Sequence, residues 1–330
     1  GREPPVRALR LLLKVLKYAV AGFVLFALIG LIWLRWESHL PRDAWFVERQ
    51  GRLIDATVEQ STTPHGQLTE SVVLESDSGL AVTIRVIRSD TADGPLPVLI
   101  VLGGHRTGSD AVDLFGHVGA RAVVGVDYPY DGPERVKGVG QSLAALGKVR
   151  RAFLDTVPAV ALVADWIGQQ AWADQQRIVV IGASLGVPFA ATAAARDSRL
   201  RGAMLVHGAA DNRLWLEAQV ARRIDTRALH YPLSVLLHWL AYGPVHDTPT
   251  HIAAIAPRPV VIIGAREDER TPAGQAERLF ELAGDPKRLR FTHGAHIEPD
   301  RVEIIAELLA IADEELAFLV SAKPAAPGSD

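Results

Sequence analysis

Short apolar runs alternate with stretches of helix-spaced apolar positions along most of this chain. The runs "LPVLIVL", "ARAVVGVDYP", "RIVVIGAS", "RGAMLVHGA", "RPVVIIGA" and "RLRFTHG" are continuous rather than alternating. That is the pattern of parallel strands covered on both faces. Between them, residues 143–170, "PFAATAAARD", "AGQAERLFELAG" and "RVEIIAELLAIADEELAFLV" hold apolar positions at helical spacing. Upstream, "ESVVLES" and "LAVTIRVIRS" read as a hairpin turning at Asp77-Ser78-Gly79. Strand-helix alternation predicts an α/β fold with a mostly parallel sheet.

The front of the chain differs. Tyr18 to Leu34 reads "YAVAGFVLFALIGLIWL", with no charge and no proline. As a helix it would be about 26 Å long, close to the hydrocarbon thickness of a bilayer. Trp33 and Trp36 fall where an interfacial aromatic belt belongs. A cleaved signal peptide would need a shorter apolar core and small residues after it, and "GLIWLRWESHLP" is bulky. A helix buried against the body is a further reading. The favoured expectation is an uncleaved single-pass anchor. Arg2, Arg7, Arg10, Lys14 and Lys17 precede the span, whereas Arg35 and Arg42 beyond it are accompanied by Glu37 and Asp43. The positive-inside rule then predicts a cytoplasmic N-terminus and an extracytoplasmic body, periplasmic in a bacterium.

The expected organisation is a basic flank and transmembrane helix over 1–36, a linker or edge segment over 37–67, a catalytic domain over 68–320 and a disordered tail over 321–330. Residues 211–251 are long for a connection between strands and rich in Leu and Trp. They are expected to form a helical cap over the carboxyl ends of the strands. Net charge is -3 and no basic block is interleaved with aromatics, so no nucleic-acid partner is expected. The chain has no cysteine, which excludes disulfides, thiolate metal sites and a cysteine nucleophile.

Candidate chemistry begins at Gly182-Ala183-Ser184-Leu185-Gly186. A strand-like run precedes it and an alanine-rich helical segment follows. Glycines two before and two after the serine suit a strand-to-helix turn too tight for larger residues. A serine hydroxyl needs a base in reach. His296, in the loop after the last strand-like run, is the favoured candidate, with His293 as competitor. The base needs a carboxylate to orient it. Asp268, after "RPVVIIGA", is favoured over Glu267 and Asp211. Leu185, next after the serine, is placed to offer one oxyanion N–H. The second is left open between Gly104 and His105, in the glycine loop after "LPVLIVL". His207 is expected to be a satisfied core or rim residue, and His246 and His251 to be surface residues. Arg106 is a candidate for drawing an anionic substrate, weighed against a solvated loop.

With these residues in order, the chain resembles the α/β-hydrolase superfamily from roughly Glu70 to Val320. The resemblance rests on "GASLG", "GAREDERTP", "GAH" and the Gly103-Gly104 pair, and is nearest the dienelactone-hydrolase and acetyl-esterase type. Leu102 stands before the glycine pair where many members carry histidine. The resemblance implies an eight-stranded, mostly parallel sheet and a serine hydrolase acting through an acyl-enzyme, with no metal or cofactor. The expected activity is hydrolysis of a carboxylic ester by a membrane-anchored enzyme. The expected partners are a small-molecule ester or thioester and, through the first helix, the lipid bilayer. A thioesterase or acyltransferase would use the same groups, and a non-catalytic binding protein on this scaffold is a third reading. A peptidase of the prolyl-oligopeptidase type, which carries a large N-terminal propeller, is the less expected reading.

Overall fold

The computed structural model describes residues 5–62, 66–90, 94–104, 107–133 and 138–320. The tail 321–330, Arg2, His105 and Arg106 lie outside these residues. The order is α1 (Pro5–Ser38), α2 (Asp43–Gln50), β1 (Leu53–Thr62), β2 (Gln67–Ser76), β3 (Ala81–Ser89) and β4 (Leu96–Leu102). A 3-10 segment (Gly108–Phe115), β5 (Ala122–Val126), α3 (Gly138–Ile167), β6 (Ala173–Ala183), α4 (Gly186–Arg196) and β7 (Leu200–Val206) follow. The chain continues through α5 (Asn212–Ala221), α6 (His230–Leu240), α7 (Thr248–Ala253), β8 (Val260–Ala265), α8 (Gln275–Leu282), β9 (Lys287–Thr292) and α9 (Val302–Val320).

The strands form one sheet in the order β1-β2-β3-β5-β4-β6-β7-β8-β9. From β5 through β9 all neighbours are parallel, while β1, β2 and β3 pair antiparallel. The sheet has nine strands rather than the expected eight. The extra one is β1, from the segment read as a linker or edge, which pairs along β2 from Leu53↔Ser76 to Thr62↔Thr69. Its mixed polarity hid it, because an edge strand needs no continuous apolar run. The β2–β3 hairpin turns at Asp77–Gly79, where Gly79 adopts φ +75°.

Alternate residues of the central strands feed two cores. Val98, Ile100, Leu102, Val180, Leu205 and Ile262 point to one face, under α3, α4, α7 and α8. Leu99, Val101, Val179, Ile181, Met204 and Ile263 point to the other, under the 3-10 segment and α9. Side chains of successive strand residues point to opposite faces, so each run had to be apolar throughout. The small residues Gly186 and Ala190 of α4 meet β4 and β6 directly, so the helix lies close against the sheet.

Helix α1 runs for 34 residues, and the most apolar 18-residue window within Arg10–Ser38 has a mean hydropathy of 2.3, with none of it buried. It is long and apolar enough to cross a membrane, and only its last turns meet the body. Leu34 and Ser38 are buried there, and the Glu37 carboxylate accepts hydrogen bonds from Arg42, Arg150 and the Tyr242 hydroxyl.

Helix α2 is fastened to α3 by charge. Arg49 donates to Asp155 Oδ1 and Oδ2 at 3.1 and 2.8 Å, and Asp155 is 2% exposed. Without Arg49, Asp155 keeps the more exposed Arg151 at 3.3 Å but loses the closer, two-point partner. Arg49→Met should therefore lower unfolding free energy by about 2 kcal/mol, read from denaturant titration of the full chain in detergent.

Candidate active site

Ser184 occupies the two-residue turn between β6 and α4 and has φ +53°. This left-handed conformation costs a non-glycine residue about 1–2 kcal/mol. The surroundings hold it there: the Ser184 N–H donates to the Val206 carbonyl at 2.9 Å, and its carbonyl accepts from Val187 N–H at 3.2 Å. The flanking glycines are required by contact. A Cβ on Gly186 would lie 2.2 Å from the Leu102 carbonyl oxygen, and one on Gly182 would lie 2.6 Å from Ala190 Cβ. The turn thus lifts the serine side chain above the carboxyl ends of the parallel strands.

Two later loops converge on it. His296 Nε2 lies 2.8 Å from Ser184 Oγ, and His296 Nδ1 lies 3.1 and 3.0 Å from Asp268 Oδ1 and Oδ2. A carboxylate only accepts, so Nδ1 carries the proton and Nε2 is left to accept from the serine hydroxyl. His296 is 2% exposed. Burial alone would raise the Asp268 pKa. The hydrogen bond and charge of His296, with the Thr271 and Arg270 N–H donors at 2.7 and 2.8 Å, outweigh it and hold the carboxyl below its ordinary value. Such a line can draw the serine proton onto an imidazole while a fixed negative charge stabilises the imidazolium.

The loops are braced by groups the sequence reading passed over. Glu269 accepts from the His296 backbone N–H at 2.9 Å, and Arg301 donates to the His296 carbonyl at 2.6 Å and to Glu269 at 2.8 Å. Burial opposes ionisation of Glu269, but Arg301 and the His296 N–H prevail and hold its pKa at about 2. His207 Nδ1 accepts from Ile297 N–H at 2.9 Å, so its Nε2 carries the proton and donates to Thr292 Oγ1 at 2.9 Å. Burial, then the neighbouring His296, lowers its pKa to about 4. His207 is a neutral strut beneath the loop of His296. Nothing in the sequence marked Arg301; Glu269 was visible only as the neighbour of Asp268.

Gly104 lies beside Ser184, since a Cβ built there would be 3.8 Å from Ser184 Cβ. Gly103 has no room for a side chain, because its Cβ would lie 2.2 Å from Thr107 Oγ1. The Tyr128 hydroxyl donates to the Gly103 carbonyl at 2.7 Å. Leu185 precedes the first turn of α4, where backbone N–H groups lack helical acceptors. Ser184, Leu185, Gly103, Gly104 and His296 line a cleft of about 910 Å³. Its walls are largely apolar and include Trp215, Leu216 and Val220 of α5, Leu233 and Leu236 of α6, and Leu308 of α9. Helices from the 211–251 insertion therefore border the cleft that Ser184 lines.

The alternatives fall elsewhere. His293 is exposed and paired with Glu307 at 2.7 Å. Asp211 caps α5 by accepting from Leu214 N–H, and Glu267 is exposed. His246 is not a surface residue as expected, and His251 is half-buried, with Nε2 2.8 Å from the Val245 carbonyl. His246 is 2% exposed between Phe46 and Phe189, with Nε2 3.1 Å from the Phe153 carbonyl, and burial lowers its pKa to about 3. A neutral imidazole with a hydrogen-bond partner can be buried like an aromatic ring. His207, Asp268 and His296 put ligand-type atoms within 4.8 Å of one another, but each of those imidazole nitrogens has the hydrogen-bond partner given above.

Residues 151–295 match the prolyl oligopeptidase family, a stretch that includes Ser184 and Asp268. No curated protein matches the chain. Acetyl xylan esterase 1 from Thermoanaerobacterium sp. superposes with a TM-score of 0.58 at 19% identity, over 86% of this chain and 95% of that one. Acetyl xylan esterase from Paenibacillus sp. R4 gives 0.56 at 17%, over 80% and 90%. An esterase from an Arctic intertidal metagenomic library gives 0.51 at 14%, over 80% and 100%. The shared architecture is the α/β-hydrolase fold.

Unfolded, an imidazole takes up a proton near pH 6.5; folded, His207 does so only near 4 and His246 near 3. Between these values the unfolded chain binds more protons, so acid favours it. The melting temperature should fall as pH drops from 6.5 towards 4. His246→Gln, which keeps a donor for the Phe153 carbonyl but does not titrate, should flatten that slope in a thermal-unfolding series.

Proposed function

We propose that this α/β-hydrolase-fold serine hydrolase cleaves a carboxylic ester through an acyl-enzyme and is held to a membrane by α1. The observation that carries the reading is the unbroken hydrogen-bonded line from Ser184 through His296 to Asp268, at the edge of an apolar cleft. Ser184 Oγ attacks the ester carbonyl carbon as His296 Nε2 takes its proton. Asp268 keeps His296 in the required tautomer and offsets the charge of the imidazolium. The Leu185 N–H and a second backbone N–H, for which Gly104 beside the serine is the candidate, stabilise the oxyanion. His105, the other candidate, lies outside the described residues. His296 then gives its proton to the leaving alkoxide. Water enters with His296 as base, and collapse of the second tetrahedral intermediate releases the acid and restores Ser184.

The named neighbours favour an ester over a thioester as the bond cleaved. The apolar cleft suits an acyl or alkyl group larger than acetyl, since burial of each CH₂ contributes about 0.8 kcal/mol. For the anchor, the basic residues before the span and the exposed apolar helix support a cytoplasmic N-terminus and an extracytoplasmic catalytic body.

A fluorophosphonate probe should label the wild type and not Ser184→Ala; a mutant labelled as strongly as wild type would refute the nucleophile. Asp268→Asn should lower kcat by about 10³–10⁴, as expected when the base loses its fixed tautomer. In a substrate panel, nitrophenyl esters should be cleaved and matched peptide anilides left intact. The reverse preference would favour a peptidase.

A further inference from the structure

Helix α6 has two neighbours that the proposed function treats separately. On one side, Leu233, Leu236 and Leu237 line the cleft that holds Ser184. On the other, the end of α1 docks against it. The Arg35 guanidinium lies 5.8 Å over the Trp239 ring, and Glu37 accepts from Tyr242, just past the end of α6, at 2.8 Å. The connection from α1 to α2 runs only from Ser38 to Asp43, too short to hold the body away from the point where α1 ends. Trp33 and Trp36 are 53% and 60% exposed, and such residues settle at the headgroup level of a bilayer. Glu37 follows Trp36 directly, a rise of about 1.5 Å, so its contacts with the body lie at nearly the same depth. Two large side chains stand out from this segment, among basic residues that include Arg213, 5.1 Å over the Tyr231 ring. Tyr231 is 61% exposed, and Leu229, just before the helix, is 45% exposed.

We infer that α6 lies at the membrane surface as the wall between bilayer and cleft, and that the substrate is an ester carrying a long apolar chain, taken from the bilayer. This rests on the ester-hydrolase and anchor reading above. The physical reason is continuity: a chain dissolved in the bilayer would pass from lipid to the leucines of α6 without crossing water. Burying Leu229 and Tyr231 in the interface would hold α6 in that position, as apolar faces of interfacial helices do.

The full chain in phosphatidylcholine vesicles provides the test, with 4-methylumbelliferyl oleate as the bilayer-confined ester and the butyrate as the soluble one. Wild type should cleave both. The double variant Leu229→Glu, Tyr231→Glu touches neither the triad nor the cleft lining. It should lose tenfold or more on the oleate and less than twofold on the butyrate. Equal losses on both, or no loss on the oleate, would overturn the inference. So would a wild type that cleaves only the butyrate, and the esterase reading would then still stand. The chain has no cysteine, so Tyr231→Cys accepts a single spin label. That label should be accessible to membrane-dissolved oxygen, whereas one at Gln176→Cys, at the amino end of β6, should not. A water-exposed label at 231 would also overturn the inference. Because the label is read without catalysis, a protein inactive on both esters would sink the esterase reading while the label still decided the placement of α6.

Discussion

Everything at this site depends on how closely one helix can approach one strand. The Gly186 position lies against the Leu102 carbonyl and the Gly182 position against Ala190, with no space for a Cβ at either. Only with both glycines can β6 turn into α4 in two residues, and only that turn puts Ser184 at φ +53° with its hydroxyl clear of the sheet. The cost of that conformation is borne by the surrounding lattice of parallel strands, which pins the serine backbone to β7 through Val206. The alanines of α4 belong to the same constraint, since larger residues would push the helix away and open the turn.

The histidine faces a different requirement. In the proposed reaction it must accept a proton in a nearly waterless place while sitting on a loop. Its backbone is clamped at both polar atoms, the N–H by Glu269 and the carbonyl by Arg301, and those two residues are themselves an ion pair. Its ring lies 5.6 Å from that of His207. Were both imidazoles charged they would repel across a poorly solvated gap. The depressed pKa of His207 avoids this, because a group neutral down to about pH 4 leaves His296 free to become the imidazolium. One buried residue thus supports the loop sterically and keeps the field at the base favourable.

The insertion between β7 and β8 connects this chemistry to the front of the chain. Its helices border the cleft, and its second helix also receives the end of α1. The cluster around Glu37 joins α1, α3 and Tyr242, two residues past α6, through one carboxylate. The orientation of the long apolar helix is therefore coupled to the body by charge and hydrogen bonding at a single junction, rather than by burial along its length.

Local chemistry alone determined much of this. Continuous apolar runs marked the parallel strands, because a strand covered on both faces cannot afford polar residues. The elbow was legible because sterics demand glycine on both sides of the serine, and Asp268 and His296 because each follows a strand whose end must lie at the same sheet edge. The apolar stretch before Trp36 was equally plain. What the sequence could not determine depended on contacts between distant residues. The β1 strand has no pattern of its own and exists by pairing with β2. His246 looked like a surface residue and is buried, because Phe153 supplies an acceptor and Phe46 and Phe189 surround it. Arg301 acts on His296 through a backbone carbonyl, which leaves no mark on residue type. The placement of α5 and α6 along the cleft that Ser184 also lines was decided only by tertiary packing, since helical periodicity shows which face of a helix is apolar but not what that face will meet.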